Sequence, residues 1–146
     1  MKVIVDADAC PRQVLEIIRR LQAAHGYELR TVSSFSHRHE DPGHIYVGDD
    51  PQAADLAVAN LAAAGDIVIT QDWGLAAMVL GKGAHALAPD GRVFRPETIS
   101  FLLEERNLKA RHRRGGGRTK GPAARTREDD RRFAEAFAHL IGFDKS

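Results

Sequence analysis

The sequence predicts a three-layer α/β domain built on a largely parallel central sheet, and three observations carry that prediction. Two short runs of branched apolar residues, Lys2-Val3-Ile4-Val5 and Ile67-Val68-Ile69-Thr70, have the composition of strands covered on both faces. Each is followed by a segment whose apolar side chains recur at helical spacing. Strand-then-helix order repeats along the chain, and crossover units of that kind set their strands parallel.

The first strand, Lys2 to Val5, ends in Asp6-Ala7-Asp8. Pro11 then opens a helix, because its missing N–H would have been unpaired at that position anyway. Within Pro11 to Ala24, Val14, Leu15, Ile18 and Leu21 fall on one face, and Gly26 is placed as a C-terminal cap. Glu28 to Ser33 reads as a second strand, Phe35 to Gly43 as a polar, His-rich loop, and His44 to Gly48 as a short third strand. Asp49-Asp50-Pro51 has the form of a helix start, with Ala53, Leu56, Ala57, Asn60 and Leu61 at helical spacing and Asp55 near the first turns. Gly65-Asp66 makes a turn into the strand Ile67 to Thr70, beyond which lies Asp72. Leu75 to Leu80 is a short helix closed by Gly81 and Gly83, Ala84 to Ala88 a strand, and Asp90-Gly91 a turn into Val93-Phe94. Pro96 opens another helix, with Ile99, Leu102 and Leu103 on its buried face.

The 146 residues are 43% apolar and 28% charged, which suits one globular body with its own core and excludes a fibrous or wholly disordered chain. One cysteine excludes an internal disulfide framework and predicts a reducing, cytoplasmic setting. No apolar run has the length of a membrane span, and Asp6 stops the N-terminal run before it could act as a signal peptide. The net charge of +1 hides a segregation. Residues 1–104 carry 9 Lys/Arg against 14 Asp/Glu, whereas residues 105–146 carry 12 against 6. The predicted organisation is a body over 1–106, a flexible basic Gly-rich arm over 107–127, and a C-terminal helix within 128–146. That helix docks on the body through Phe133, Phe137, Leu140 and Ile141.

Asp6, Asp8, Asp55 and Asp72 come from three separate segments, and the predicted topology brings them to one end of the sheet. Carboxylates gathered without basic neighbours repel one another unless a hard cation such as Mg2+ or Mn2+ is there to be ligated. A metal held in that way promotes phosphodiester hydrolysis without a protein nucleophile. The basic arm, with Arg111, Arg113, Arg114, Arg118, Lys120 and Arg125, suits contacts to a phosphate backbone, so nucleic acid, RNA above all, is the expected partner.

Several stretches resemble the YaiI/YqxD family of bacterial proteins, which is related to PIN-domain nucleases. They are Val5-Asp6-Ala7-Asp8-Ala9-Cys10-Pro11, the segment ending Ala53-Ala54-Asp55, Gly65-Asp66-Ile67-Val68-Ile69-Thr70-Gln71-Asp72 with Leu75-Ala76, and Gly116-Gly117…Gly121-Pro122 before Asp130-Arg131…Phe133. The resemblance implies a PIN-like fold in which clustered acids hold Mg2+ or Mn2+ and cut RNA. It assigns Asp6, Asp55 and Asp72 to matching places in the motif order, with Asp8 as a fourth. Trp73-Gly74 departs from the aliphatic-proline pair found in many relatives.

Other roles compete for the same residues. Asp8 and Asp72 each precede a helix and can act as N-caps, and Asp55 can be an exposed helix residue. His37, His39 and His44, with Glu40 and Asp41, have the spacing of a solvated loop rather than of a fixed metal site. Cys10 is expected to pack, and Trp73 either packs or stacks on a base. Two other functions remain open. One is a non-catalytic RNA-binding module. The other is a haloacid-dehalogenase-like phosphatase, in which Asp6 is the nucleophile, Asp8 the acid/base partner and Gly48-Asp49-Asp50 the late acidic motif. The further strand-helix-strand stretch after that motif, with no conforming lysine between, weighs against the phosphatase.

Overall fold

The computed structural model describes residues 1–33, 43–48, 51–97 and 124–143. Their strands are β1 (Lys2–Asp6), β2 (Glu28–Ser33), β3 (His44–Tyr46), β4 (Ile67–Ile69), β5 (His85–Leu87) and β6 (Val93–Phe94). Among the described residues the α-helices are α1 (Arg12–His25), α2 (Pro51–Leu61), α3 (Trp73–Gly81) and α4 (Arg127–Phe143), and a 3-10 turn occupies Ala7–Ala9. The helix expected from Pro96 lies outside the described residues beyond Glu97, as do the expected arm up to residue 123 and the expected loop up to residue 42. No described helix is long and apolar enough to cross a membrane.

The six strands form one sheet in the order β3-β2-β1-β4-β5-β6. The first five run parallel, and only β6 is antiparallel, paired with β5 through Ala86–Phe94 and Leu87–Val93. The α/β class and the mostly parallel sheet expected from the sequence are therefore present. The strand order reverses at β1/β4, since β2 and β3 lie on one side of β1 while β4 and β5 lie on the other. In a doubly wound sheet that reversal opens a crevice beyond the carboxyl ends of the two strands.

Side chains alternate across a strand, and the alternation assigns the layers. Val3, Val5, Ile67, Ile69 and Leu87 face α1 and α4, packing with Val14, Ile18, Tyr27, Phe133, Phe137 and Ile141. Ile4, Val68 and Ala86 face α2 and α3, packing with Ala54, Val58, Leu75, Ala76 and Val79. In α4, Phe133 stacks on Phe137 at 5.5 Å between ring centroids, and Tyr27 meets Phe137 edge-on at 5.8 Å. Gly26, at φ 74°, closes α1 in the left-handed region and donates its N–H to Gln22 O. Helix α4 starts at Arg127, one residue before the 128–146 segment expected to hold it. The Thr126 N–H donates to Asp129 Oδ2 at 2.9 Å and the Asp129 N–H to Thr126 Oγ1 at 3.2 Å, the reciprocal pair of a capping box.

Asp66, expected only to make a turn, is a buried staple, 4% exposed. Its carboxylate accepts the Lys2 N–H at 2.9 Å and the Ala63 N–H at 2.9 Å, and lies 2.8 Å from Lys2 Nζ. Burial pushes this carboxyl up, but Lys2 and the Ala63 amide outweigh burial and hold it below the usual carboxylate value. That stabilisation is present above the unfolded pKa and is lost as pH falls through the lowered folded value. Asp66→Asn is expected to cost about 1–2 kcal/mol at pH 7. In urea unfolding at pH 7 and pH 3, the gap between the two proteins should narrow in acid. An equal gap at both pH values would mean that the carboxylate charge contributes nothing.

Candidate functional site

The acids gather at the point where the strand order reverses. Asp6 is the last residue of β1, and β4 is followed by Thr70, Gln71 and Asp72. Asp6 and Thr70 continue the alternation of Ile4 and Val68 and so lie on the α2/α3 side of the sheet. Thr70 Oγ1 donates to Asp6 Oδ2 at 3.2 Å and accepts the Asp72 N–H at 3.0 Å. One hydroxyl therefore ties the ends of two neighbouring strands together.

Asp72 is the N-cap of α3: Oδ1 accepts from the Gly74 N–H at 2.8 Å and the Leu75 N–H at 3.3 Å. Capping and membership of the acid cluster, alternatives in the sequence, coexist here. Asp55 is not an exposed helix residue. It is half-buried on α2, where it feels the charge of Asp72. Asp8 lies in the 3-10 turn rather than at the cap of α1, whose N-cap is Pro11. Ser33 Oγ, at the end of β2, donates to Asp8 Oδ1 at 3.0 Å.

Asp6 and Asp55 feel the negative charges of the neighbouring acids. Asp6 is pushed up to about 6, by burial first; the Thr70 hydroxyl pulls against it, and the charges of Asp55, Asp8 and Asp72 add to the rise. Asp55 is raised as well, by burial first and then by the charge and hydrogen bond of Asp72 and the charge of Asp8. Cys10 is pushed up to about 12, by burial first and by Asp6 second, so its thiol is no nucleophile near neutral pH.

Thr70 and Ser33 were not legible as site residues. Both are buried hydroxyls at strand ends, 2% and 0% exposed; a hydroxyl closing an apolar run two residues before an acid is the signal that marks Thr70, and Ser33 carries none. Arg125 holds the fold together: its Nε lies 2.7 Å from Asp130 Oδ1, and its Nη1 donates to Pro89 O at 2.7 Å. Arg111, Arg113, Arg114, Arg118 and Lys120 lie outside the described residues, as do Asp49, Asp50, His37, His39, Glu40 and Asp41. His44 Nδ1 sits 2.6 Å from Thr31 Oγ1, between β3 and β2. Trp73 is half-buried against the α2/α3 core.

Among the described residues no three His, Cys, Asp or Glu side chains are grouped closely enough to hold one ion as a cage. The donor set nonetheless has the chemistry of a hard-cation site, because Mg2+ commonly takes one or two carboxylates and keeps waters for the rest. Asp6, Asp55 and Asp72 offer only oxygen, and the charges raising Asp6 and Asp55 are all negative.

No solved structure matches the chain. It is similar to a UPF0178 protein of Heliobacterium modesticaldum, 52% identical over 141 residues that cover 97% of each chain. A UPF0178 protein of Exiguobacterium sibiricum is 43% identical over 143 residues, covering 97% of this chain and 96% of the relative. One of Clostridium tetani is 41% identical over 144 residues, covering 97% of each. The family model described as "Uncharacterized BCR, YaiI/YqxD family" matches residues 4–142. Matches of that extent from end to end mean that this chain belongs to the YaiI/YqxD family.

Proposed function

We propose that the protein is a divalent-metal-dependent phosphodiesterase that cuts RNA at the acid cluster. One observation carries this reading: Asp6, at the end of β1, is tied through the Thr70 hydroxyl to the Asp72 segment and feels the negative charges of Asp55, Asp8 and Asp72. A site of that charge rejects a phosphodiester by itself and becomes attractive to one when a cation is added. The resemblance of the acidic motifs to PIN-domain nucleases supports the same chemistry.

Asp6, Asp55 and Asp72 would hold the Mg2+ or Mn2+, with Asp8 at the edge of the set. When bound, such an ion polarises a phosphate oxygen and lowers the pKa of water. The chain's own groups do the rest. Thr70 Oγ1 donates to the Asp6 carboxylate and holds it in place. Asp72, anchored at the N-cap of α3, is fixed in direction, which reduces the cost of ordering it around a ligand.

Purified protein with Mn2+ and a fluorescent single-stranded RNA tests the proposal. Cleavage that disappears with a chelator and returns with excess Mn2+ is the expected outcome. RNA that is bound but left intact at every metal concentration would overturn it and leave the non-catalytic binding module. A phosphoaspartate trapped at Asp6 would point to the phosphatase. The arm residues Arg111, Arg113, Arg114, Arg118 and Lys120 should make RNA binding weaken with salt, with a logarithmic slope of roughly 0.7 per phosphate contacted. Deleting residues 111–120 should flatten that slope while sparing Arg125, which the fold needs.

A further inference from the structure

Beside the acid cluster lies a cavity of about 440 Å3, enclosed by Pro11 at the start of α1, the 88–92 turn between β5 and β6, and the segment leading into α4. Its size falls within the range of small-ligand sites, roughly 300–1,000 Å3. We propose that this cavity is a nucleobase subsite, which takes the base of a nucleotide next to the phosphodiester held at the acids. The inference rests on the nucleic-acid reading above and adds to it a place where the strand itself is gripped.

Position is the first argument. Gln71, on the cavity wall, is the residue between Thr70 and Asp72, and Pro11 follows Cys10. The Cys10 thiol feels the charges of both Asp6 and Arg125, the second of which lines the cavity. The cavity and the cluster are thus joined by adjacent residues of the chain, while none of the four acids lines the cavity.

The lining decides the class of guest. Pro11, Ala88 and Pro89 supply apolar surface, and the exposed Gln71 side chain brings an amide that can both donate and accept. Two cations, Arg92 and Arg125, are matched by two carboxylates, Asp90 and Asp129, so the walls carry no net charge to draw in a phosphate. A flat, neutral group with mixed donors and acceptors suits such walls, and a base is that group. Arg92 is exposed, its guanidinium 5.5 Å above the Phe94 ring, and arginine planes stack on bases. Arg125, held rigid by Asp130 and Pro89 O, fixes the opposite wall of the cavity.

Titration of the full chain with AMP, GMP, CMP and UMP, in the absence of any divalent ion and followed by proton–nitrogen NMR, tests the subsite. Saturable shifts at the Gln71 side-chain amide and the Arg125 Nε–H are expected for at least one nucleotide. Gln71→Ala should weaken that binding about five- to tenfold. Arg92→Ala, an exposed change that leaves the fold intact, should weaken it as well. Absence of saturable binding by all four, or binding that both variants leave untouched, would overturn the subsite. So would binding that Asp6→Asn abolishes while Gln71→Ala does not, because the nucleotide would then sit at the acids. The readout needs neither metal nor turnover, so failure of the ribonuclease reading and failure of the subsite are told apart.

Discussion

Asp6→Asn is expected to make the metal-free protein more stable at pH 7 and, in the same molecule, to abolish Mn2+-dependent cleavage. The stability half follows from the position of Asp6. Its folded pKa of about 6 lies above the usual 3.8, chiefly through burial. Between those two values the native state holds a proton that the unfolded state has released, so stability falls as pH rises from about 4 to about 6 and stays reduced above. That difference corresponds to roughly 3 kcal/mol, discounted to on the order of 2 kcal/mol because the side chain retains some solvent contact. Asparagine carries no charge to desolvate and can still accept from Thr70 Oγ1. Urea unfolding without metal should therefore favour the variant at pH 7 and show little difference near pH 4. The metal half runs the other way. Mn2+ at a hundred times its dissociation constant should stabilise the wild type by about 2.7 kcal/mol and the variant hardly at all. Cleavage should drop by at least about a hundredfold, in line with the weight of charge-stabilising groups in other active sites. A wild-type protein whose melting temperature ignores Mn2+ would remove the metal from the account.

Phe137→Ala is expected to cost about 4 kcal/mol, a large share of the stability of a domain this size. The ring is fully buried, is stacked by Phe133 and met edge-on by Tyr27, and sits in the same core as Val3, Val5 and Ile18. The gap left by truncation adds to the lost burial, because the β1 and α1 side chains around it are already packed. Urea unfolding should show one cooperative transition at a lower midpoint. A loss below about 1 kcal/mol, or an early separate transition confined to α4, would mean that the helix rests on the body rather than completing its core. Because α4 also anchors Arg125 through Asp130, the nucleobase subsite should weaken along with it.

The first strand, the crossover helix and the last helix were legible because their signals are local. The apolar run from Lys2 to Val5, the spacing of Val14, Leu15 and Ile18, and that of Phe133, Phe137 and Ile141 each predict a buried face, and each of those apolar side chains is buried. Gly26 announced its own cap. Asp6 and Asp72 were legible too, because an acid closing a branched apolar run has no local structural use beyond capping. The resemblance in motif order then gave Asp55 a partner role that its helical context alone could not.

Strand order, and with it the meaning of the acids, belonged to the folded state. Nothing in the order of segments along the chain requires β1 to lie between β2 and β4, yet that placement puts the reversal of the sheet at Asp6 and Thr70. Hydroxyls such as Thr70 and Ser33, the Lys2–Asp66 staple and the fixed guanidinium of Arg125 are pairings between residues 5 to 64 positions apart. Local pattern determines which face of an element is apolar, because that depends on a period of two or of 3.6 residues. Which polar groups meet depends on how whole elements pack, and in this protein only the tertiary structure decided it.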